Sequence, residues 1–280
     1  MDPRAAKRKA FGQHFLRDAG VISQIVTDTL SDLGSTCLEI GPGQGALTEP
    51  LLAAFQEKAK ADAAFRFILV EKDRMLAVEN EQRISRLGIS HWAKVHCADF
   101  LELSESEWLR PSLSVVSNLP YSSGTAILTR LCGAHANRKG SSGLKRMTLM
   151  FQAEVAERVR AEGGPGSGRD MGSLSVWVQN DWDVSRVCRV RPGAFQPPPK
   201  VESEVLRLVP RERSRIAIRD PDRWERLLKA CFAHRRKMLR SGLNQTEFFQ
   251  AFGRSGVEGT RRAQELTWEE WARIAEAAEV

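Results

Sequence analysis

Short apolar runs alternate with amphipathic stretches along the first two-thirds of the chain. Residues 36–40, 67–70, 95–98, 113–116 and 147–151 are apolar runs of strand length. The segments between them carry helical spacing. The first places Val21, Ile22, Ile25 and Val26 on one face, behind an Asp18 suited to cap it. Another helix is predicted over 46–55, and the polar, alanine-rich stretch 56–64 is read as an extension after it. Such alternation predicts a parallel sheet with helices on both faces. Two more strand patterns, 182–190 and 204–209, flank a proline-rich turn and are expected to finish the sheet as an antiparallel pair. Residues 132–146 read as a polar, basic loop, and 162–172, with five glycines and a proline, as a mobile one.

The pattern changes after residue 210. Residues 210–220 read as a boundary, and Asp220 and Pro221 suit the N-cap and first position of a helix. Trp224, Leu227, Leu228, Cys231 and Phe232 share one face of it. Thr267 and Glu270 form a capping-box pattern before a last helix, in which Trp268 and Trp271 are expected to be core anchors. The expected architecture is α/β, with a Rossmann-like domain over 1–210 and a small all-helical domain over 211–280.

Charge sharpens that division. The chain of 280 residues has a formal charge of +7. Residues 207–262 hold fifteen Lys/Arg against six Asp/Glu, which leaves the remainder near −2. A basic segment of this kind points to a nucleic-acid partner, with Arg235, Arg236, Lys237 and Arg240 as candidate RNA contacts. Five cysteines, none in a Cys-x-x-Cys pair, point to reduced thiols and no metal site. No apolar run approaches the roughly 20 residues of a membrane helix. The first residues are basic and polar, unlike a secretory signal, so a cytoplasmic location is expected.

Candidate chemistry collects at the ends of the predicted strands. Glu39, Ile40, Gly41, Pro42, Gly43, Gln44 and Gly45 run from a strand into a helix. Glycines there let the backbone turn tightly and let a ligand approach it. The same pattern alone also fits a dinucleotide loop. Glu71 ends the next strand and is suited to accept both hydroxyls of a ribose; Asp99 ends the one after and is suited to accept from an adenine amino group. Asn118, Leu119, Pro120 and Tyr121, the only tyrosine, end the fourth. An amide oxygen, a carbonyl before a proline and an aromatic face suit a planar amine. Taken alone, these four residues slightly favour a plain Asn-x-Pro turn.

Together these landmarks resemble the rRNA adenine N6-dimethyltransferases, the family of bacterial KsgA and its eukaryotic counterparts. The matching stretches are Phe11-Gly12-Gln13-His14-Phe15-Leu16, Glu39 to Gly43, Asn118 to Tyr121, the run from Phe195 through Gln196, Pro197, Pro198, Pro199, Lys200, Val201 and Glu202 to Ser203, and residues 232–239. His14 stands where the family usually has asparagine. The resemblance implies S-adenosylmethionine as cofactor, held by His14 and Leu16 at the methionine end, by Glu39, Gly41 and Gly43 at the loop, and by Glu71, Asp99 and Asn118. It implies that Asn118 and Leu119 hold the target amine, and that Tyr121 and Phe195 stack on the two faces of the adenine. It further implies a monomer that dimethylates two adjacent adenosines near the 3′ end of 16S rRNA within the 30S subunit, with a role in subunit biogenesis. A methyltransferase of 23S rRNA, a non-catalytic assembly factor and a nicotinamide-dependent oxidoreductase stay open as alternatives.

Overall fold

The structure, a computed structural model, describes residues 14–136, 143–164 and 171–280. Residues 11–13 of the first motif and parts of both expected loops lie outside the described residues. The chain divides into two compact units: residues up to Ala156 with Ser185–Pro210, and Glu157–Val184 with Arg211–Val280.

The first unit is built on a seven-stranded sheet. Its strands are β2 (Thr36–Ile40), β3 (Arg66–Glu71), β4 (Ala93–Cys97), β5 (Leu113–Asn118), β6 (Leu144–Gln152), β7 (Trp182–Val190) and β9 (Ser203–Pro210), in the order β4-β3-β2-β5-β6-β9-β7. The strands from β4 to β6 run parallel, and β9 pairs antiparallel with β6. All five residues of β2 are buried, as a central strand covered on both faces requires. A separate two-residue ladder joins β1 (Phe15–Leu16) to β8 (Phe195–Gln196).

Helices α1 (Ala19–Leu30), α2 (Thr48–Ala61), α3 (Arg74–Arg86), α4 (Glu105–Trp108) and α5 (Gly124–Ala136) connect the strands. Asp18 caps α1 by accepting from the Val21 N–H at 2.9 Å. Buried Asp28 fixes α1 to the sheet, accepting from Arg207 Nε at 2.7 Å and Thr148 Oγ1 at 2.7 Å and forming an ion pair with Arg146 Nη2 at 2.8 Å. Two elements run longer than the sequence pattern suggests. Helix α2 carries on through 56–61, because its alanines and lysines are good helix formers. Helix α5 takes in 132–136, read as loop, because Cys132 and Ala134 continue its buried side.

The second unit is helical, with α8 (Pro221–Phe232), α9 (Leu239–Gly242), α10 (Phe249–Arg254) and α11 (Trp268–Ala277). Asp220 caps α8 by accepting from the Arg223 N–H, and Thr267 and Glu270 form the capping box of α11. Trp271 is fully buried, stacks on Phe232 at 5.7 Å and meets Trp224 edge-on at 6.1 Å. Trp268 is only half-buried, under the Arg215 guanidinium at 4.4 Å. The second unit also takes residues 157–184, which include part of α6 (Ala153–Arg160) and all of α7 (Ser173–Asp181); the sequence division at 210 had placed them in the first. Side-chain amides account for the difference. Gln179 donates to the carbonyls of Val159 and Ala161, and Asn180 both donates to and accepts from the Ile216 backbone.

Candidate active site

The carboxyl ends of β2, β3 and β5 open into a cleft. In open α/β sheets this end of the strands binds ligands, because loops and helix starts there leave backbone groups free. Ser117 Oγ donates to the Ile40 carbonyl at 2.5 Å, tying the end of β5 to that of β2. The glycine loop and Asn118 thereby share one wall.

Three glycines of the loop, Gly41, Gly43 and Gly45, have positive φ. At Gly41 no atom of the described residues lies within 4 Å of the place a Cβ would take, which leaves room there for a ligand. Glu71 is 5% exposed and sits under the loop. Its Oε2 accepts from the Gly43 N–H at 3.0 Å and its Oε1 from the Asp73 N–H at 2.8 Å. Burial raises the Glu71 pKa, against the lowering effect of these two bonds. Each carboxylate oxygen can still accept another bond, which suits a diol.

Glu39 lines the cleft floor and is 1% exposed. Its Oε2 accepts from Thr48 Oγ1 at 2.8 Å. Burial, aided by the neighbouring Glu71 charge, pushes its pKa up to about 8, so near neutral pH it is mainly a neutral acid.

Asn118, Leu119, Pro120 and Tyr121 line the same cleft with His14. The Asn118 Nδ2 faces the His14 carbonyl at 3.4 Å. Because that partner only accepts, the NH₂ end of the amide is turned to it, and Oδ1 stays an acceptor for a ligand. Leu119 is 2% exposed and anchors the turn. The Pro120 carbonyl accepts from the Ser123 and Gly124 N–H groups, which starts α5 directly after the motif. The Tyr121 hydroxyl meets Ser203 Oγ at 2.7 Å, and burial raises its pKa, so it is a neutral phenol at neutral pH. The His14 ring lies 5.5 Å from the Tyr121 ring, and its Nδ1 is 2.8 Å from the Pro197 carbonyl.

The cleft thus brings together His14, Leu16, Glu39, Gly41, Gly43, Glu71, Asn118, Leu119, Pro120 and Tyr121. Two expected site residues lie elsewhere. Phe195 is 4% exposed and belongs to the hydrophobic core beside Leu16, its partner in the β1–β8 ladder; a base-stacking role does not fit that burial. Asp99 does not line the cleft. Its carboxylate accepts from Lys72 Nζ at 2.6 Å and from the Leu101 N–H at 2.9 Å. The Lys72 bond holds the Asp99 pKa below the usual carboxylate range. In the second unit, Arg235, Arg236, Lys237 and Arg240 are exposed along the turn after α8 and the start of α9.

Asn80 and Arg83 of α3 escaped the sequence reading. Asn80 is fully buried between Ala77 and Ile84 on the packed face of α3. An asparagine on an apolar helix face is the signal that could have found it, since a buried amide needs specific partners.

Strand order, the parallel block with one antiparallel insertion, and a glycine loop facing an acidic strand end define an S-adenosylmethionine-dependent methyltransferase fold. Two solved structures share it. A dimethyladenosine transferase from Plasmodium falciparum superposes with a TM-score of 0.71 at 22% identity, over 93% of this chain and 96% of that one. The 23S rRNA methyltransferase ErmE superposes at 0.64 and 24% identity, over 95% and 100%. The ribosomal RNA adenine dimethylase family model matches residues 4–279, and the chain belongs to that family. Among relatives named ribosomal RNA small subunit methyltransferase A, that of Pseudomonas syringae pv. syringae is 38% identical, covering 96% of this chain and 93% of its own. That of Pseudomonas putida is 36% identical, covering 96% and 94%, and that of Burkholderia ambifaria 36%, covering 96% and 92%.

Proposed function

We propose that this protein dimethylates N6 of two adjacent adenosines near the 3′ end of 16S rRNA in the small ribosomal subunit. The observation that carries the reading is the pairing, in one cleft, of an open glycine loop over buried Glu71 with an Asn118 amide whose oxygen is left to accept. The relatives' small-subunit name supports the choice of rRNA.

S-adenosylmethionine, when bound, supplies an electrophilic sulfonium methyl group. The residues present fit it: Glu71 would accept its ribose hydroxyls, and the open backbone at Gly41 would admit it closely. The reacting amine is a weak nucleophile, because its lone pair is shared with the adenine ring. Asn118 Oδ1 and the Leu119 carbonyl accept its two N–H bonds and favour a pyramidal nitrogen with the lone pair turned out. Positioning and electrostatics then supply most of the catalysis. Tyr121 stacks on one face of the unstacked base, with its hydroxyl anchored by Ser203. Phe195 supports the wall from behind, through Leu16. Arg235, Arg236, Lys237 and Arg240 dock on rRNA phosphates and carry no sequence information. The protein acts as a monomer.

Purified protein with labelled S-adenosylmethionine is offered 30S particles and 50S particles from a strain whose rRNA lacks these methyl groups. Label entering 16S rRNA only is the expected result. Label in 23S rRNA, or none, would overturn the assignment.

A further inference from the structure

We propose that Asn80 and Arg83 are positioning residues for the cofactor: together they clamp the carbonyl side of the glycine loop. The inference rests on the methyltransferase reading above, but neither residue belongs to the cleft wall.

The loop's amide side has a known support, since the Gly43 N–H donates to Glu71. Its carbonyl side would otherwise face a helix packed beneath it. Asn80 Nδ2 donates to the Gly43 carbonyl at 2.9 Å and to the Leu76 carbonyl at 2.8 Å. The second bond fixes the amide on its own helix, so the first is aimed by α3 rather than by the loop. Arg83 Nη1 donates to Asn80 Oδ1 at 2.5 Å and Nη2 to the Gln44 carbonyl at 3.1 Å. A Cβ on Gly45 would lie 2.8 Å from the Arg83 guanidinium, so Gly45 is also where that group packs on the loop. Arg83 is held from outside by Glu49 at 2.9 Å, but the Glu49 side chain is 65% exposed and its ion pair is screened.

The physical consequence is preorganisation. Gly41, Gly43 and Gly45 give the loop its positive φ values and also its freedom to leave them. A loop that must be ordered by the ligand spends binding free energy on ordering; one already held by part-buried hydrogen bonds spends less. Glu71 ends β3 and α3 begins three residues later, so one short segment presents the ribose acceptor and the clamp in fixed register. The clamp acts on cofactor affinity, and the geometry of the methyl acceptor at Asn118 is outside its reach.

The test uses the full-length protein in four forms: wild type, Asn80→Leu, Arg83→Met and Arg83→Lys. Each is assayed at a temperature where circular dichroism shows it folded. Two quantities are read: S-adenosylmethionine affinity by calorimetry, and amide exchange at Gly43 and Gly45 without cofactor. Asn80→Leu keeps the volume and removes both donors; Arg83→Met removes the guanidinium. Both are expected to weaken binding about tenfold and to speed exchange. Arg83→Lys should fall between them and wild type, since an ammonium cannot reach both acceptors. At saturating cofactor, kcat and the KM for 30S particles should stay at wild-type values. Wild-type affinity in both Asn80→Leu and Arg83→Met would overturn the proposal, whatever the exchange rates do. If wild type itself fails to bind S-adenosylmethionine, the methyltransferase reading fails instead, and unchanged loop exchange in the variants would remove the clamp as well.

Discussion

The Tyr121 hydroxyl lies 2.7 Å from Ser203 Oγ, which joins the motif at the end of β5 to the first residue of β9, 82 positions away. Ser203 is fully buried and closes the proline-rich run that begins at Phe195. Two separate landmarks of the sequence therefore meet in one bond, and that bond anchors the hydroxyl end of the only tyrosine.

Removing the bond should loosen the ring without removing it. Tyr121→Phe and Ser203→Ala are each expected to cost about 0.5–1.5 kcal/mol of stability, and the double variant should cost less than the sum. Methylation should fall only severalfold in either. Tyr121→Ala should lose considerably more, since base stacking on an aromatic is worth about 1–3 kcal/mol. Thermal melts and single-turnover methylation across the cycle check this. Additive effects would show that the two groups act independently.

Glu71→Ala should weaken S-adenosylmethionine binding by about 1.5–3 kcal/mol, the usual worth of hydrogen bonds to a charged acceptor. It also releases the Gly43 and Asp73 N–H groups, so the loop and the start of α3 should become less protected. Calorimetry measures the first effect and amide exchange the second. Unchanged affinity would remove Glu71 from the cofactor site.

Glu39 gives the cleft a pH signature. Its folded pKa of about 8 lies above its ordinary 4.5, so folded protein keeps a proton that the unfolded chain releases. Stability should therefore fall as pH rises between these values and level off above the higher one. Glu39→Gln keeps an acceptor for Thr48 and removes the ionisation. Its Tm advantage over wild type should grow from about pH 5 to about pH 8. Parallel melting curves across that range would mean that Glu39 is ionised in the fold.

Much of this site was legible in the sequence because its parts are local. A glycine loop, an acidic residue at a strand end and the Asn118–Tyr121 run each carry their chemistry within a few residues, and the strand alternation places them at one edge. What was not legible depends on distant partners. Phe195 looks like a free aromatic beside prolines until β8 pairs with β1 and buries it against the core. Asp99 looks like a free acceptor until Lys72, 27 positions away, closes on it. Asn80 and Arg83 reach back 37 and 39 positions to the loop, a relation no local pattern contains. The expected boundary at 210 missed residues 157–184 because their ties are hydrogen bonds from side-chain amides to backbone carbonyls, which leave no mark in composition.

Changing Arg235, Arg236 and Lys237 together to alanine should weaken binding to 30S particles and flatten its salt dependence, because fewer counterions are released. Cofactor affinity should not move. Filter binding over a range of salt concentrations reads both the affinity and its slope. An unchanged slope would make the exposed turn a solvated surface with no part in docking.

Asn118 bears the chemical claim, and one experiment tests it directly. Unmethylated 30S particles are incubated with S-adenosylmethionine and either wild type or Asn118→Ala, and the 16S rRNA is digested for mass spectrometry. Wild type should yield N6,N6-dimethyladenosine. The variant should bind particles normally but turn over on the order of 10²-fold more slowly or worse, as expected when one preorganised hydrogen-bonding group is lost. Its residual product should be enriched in monomethyladenosine, because the second transfer starts from an amine with a single N–H. Dimethylation at the wild-type rate by Asn118→Ala would contradict the account and leave Asn118 to Tyr121 as a structural turn.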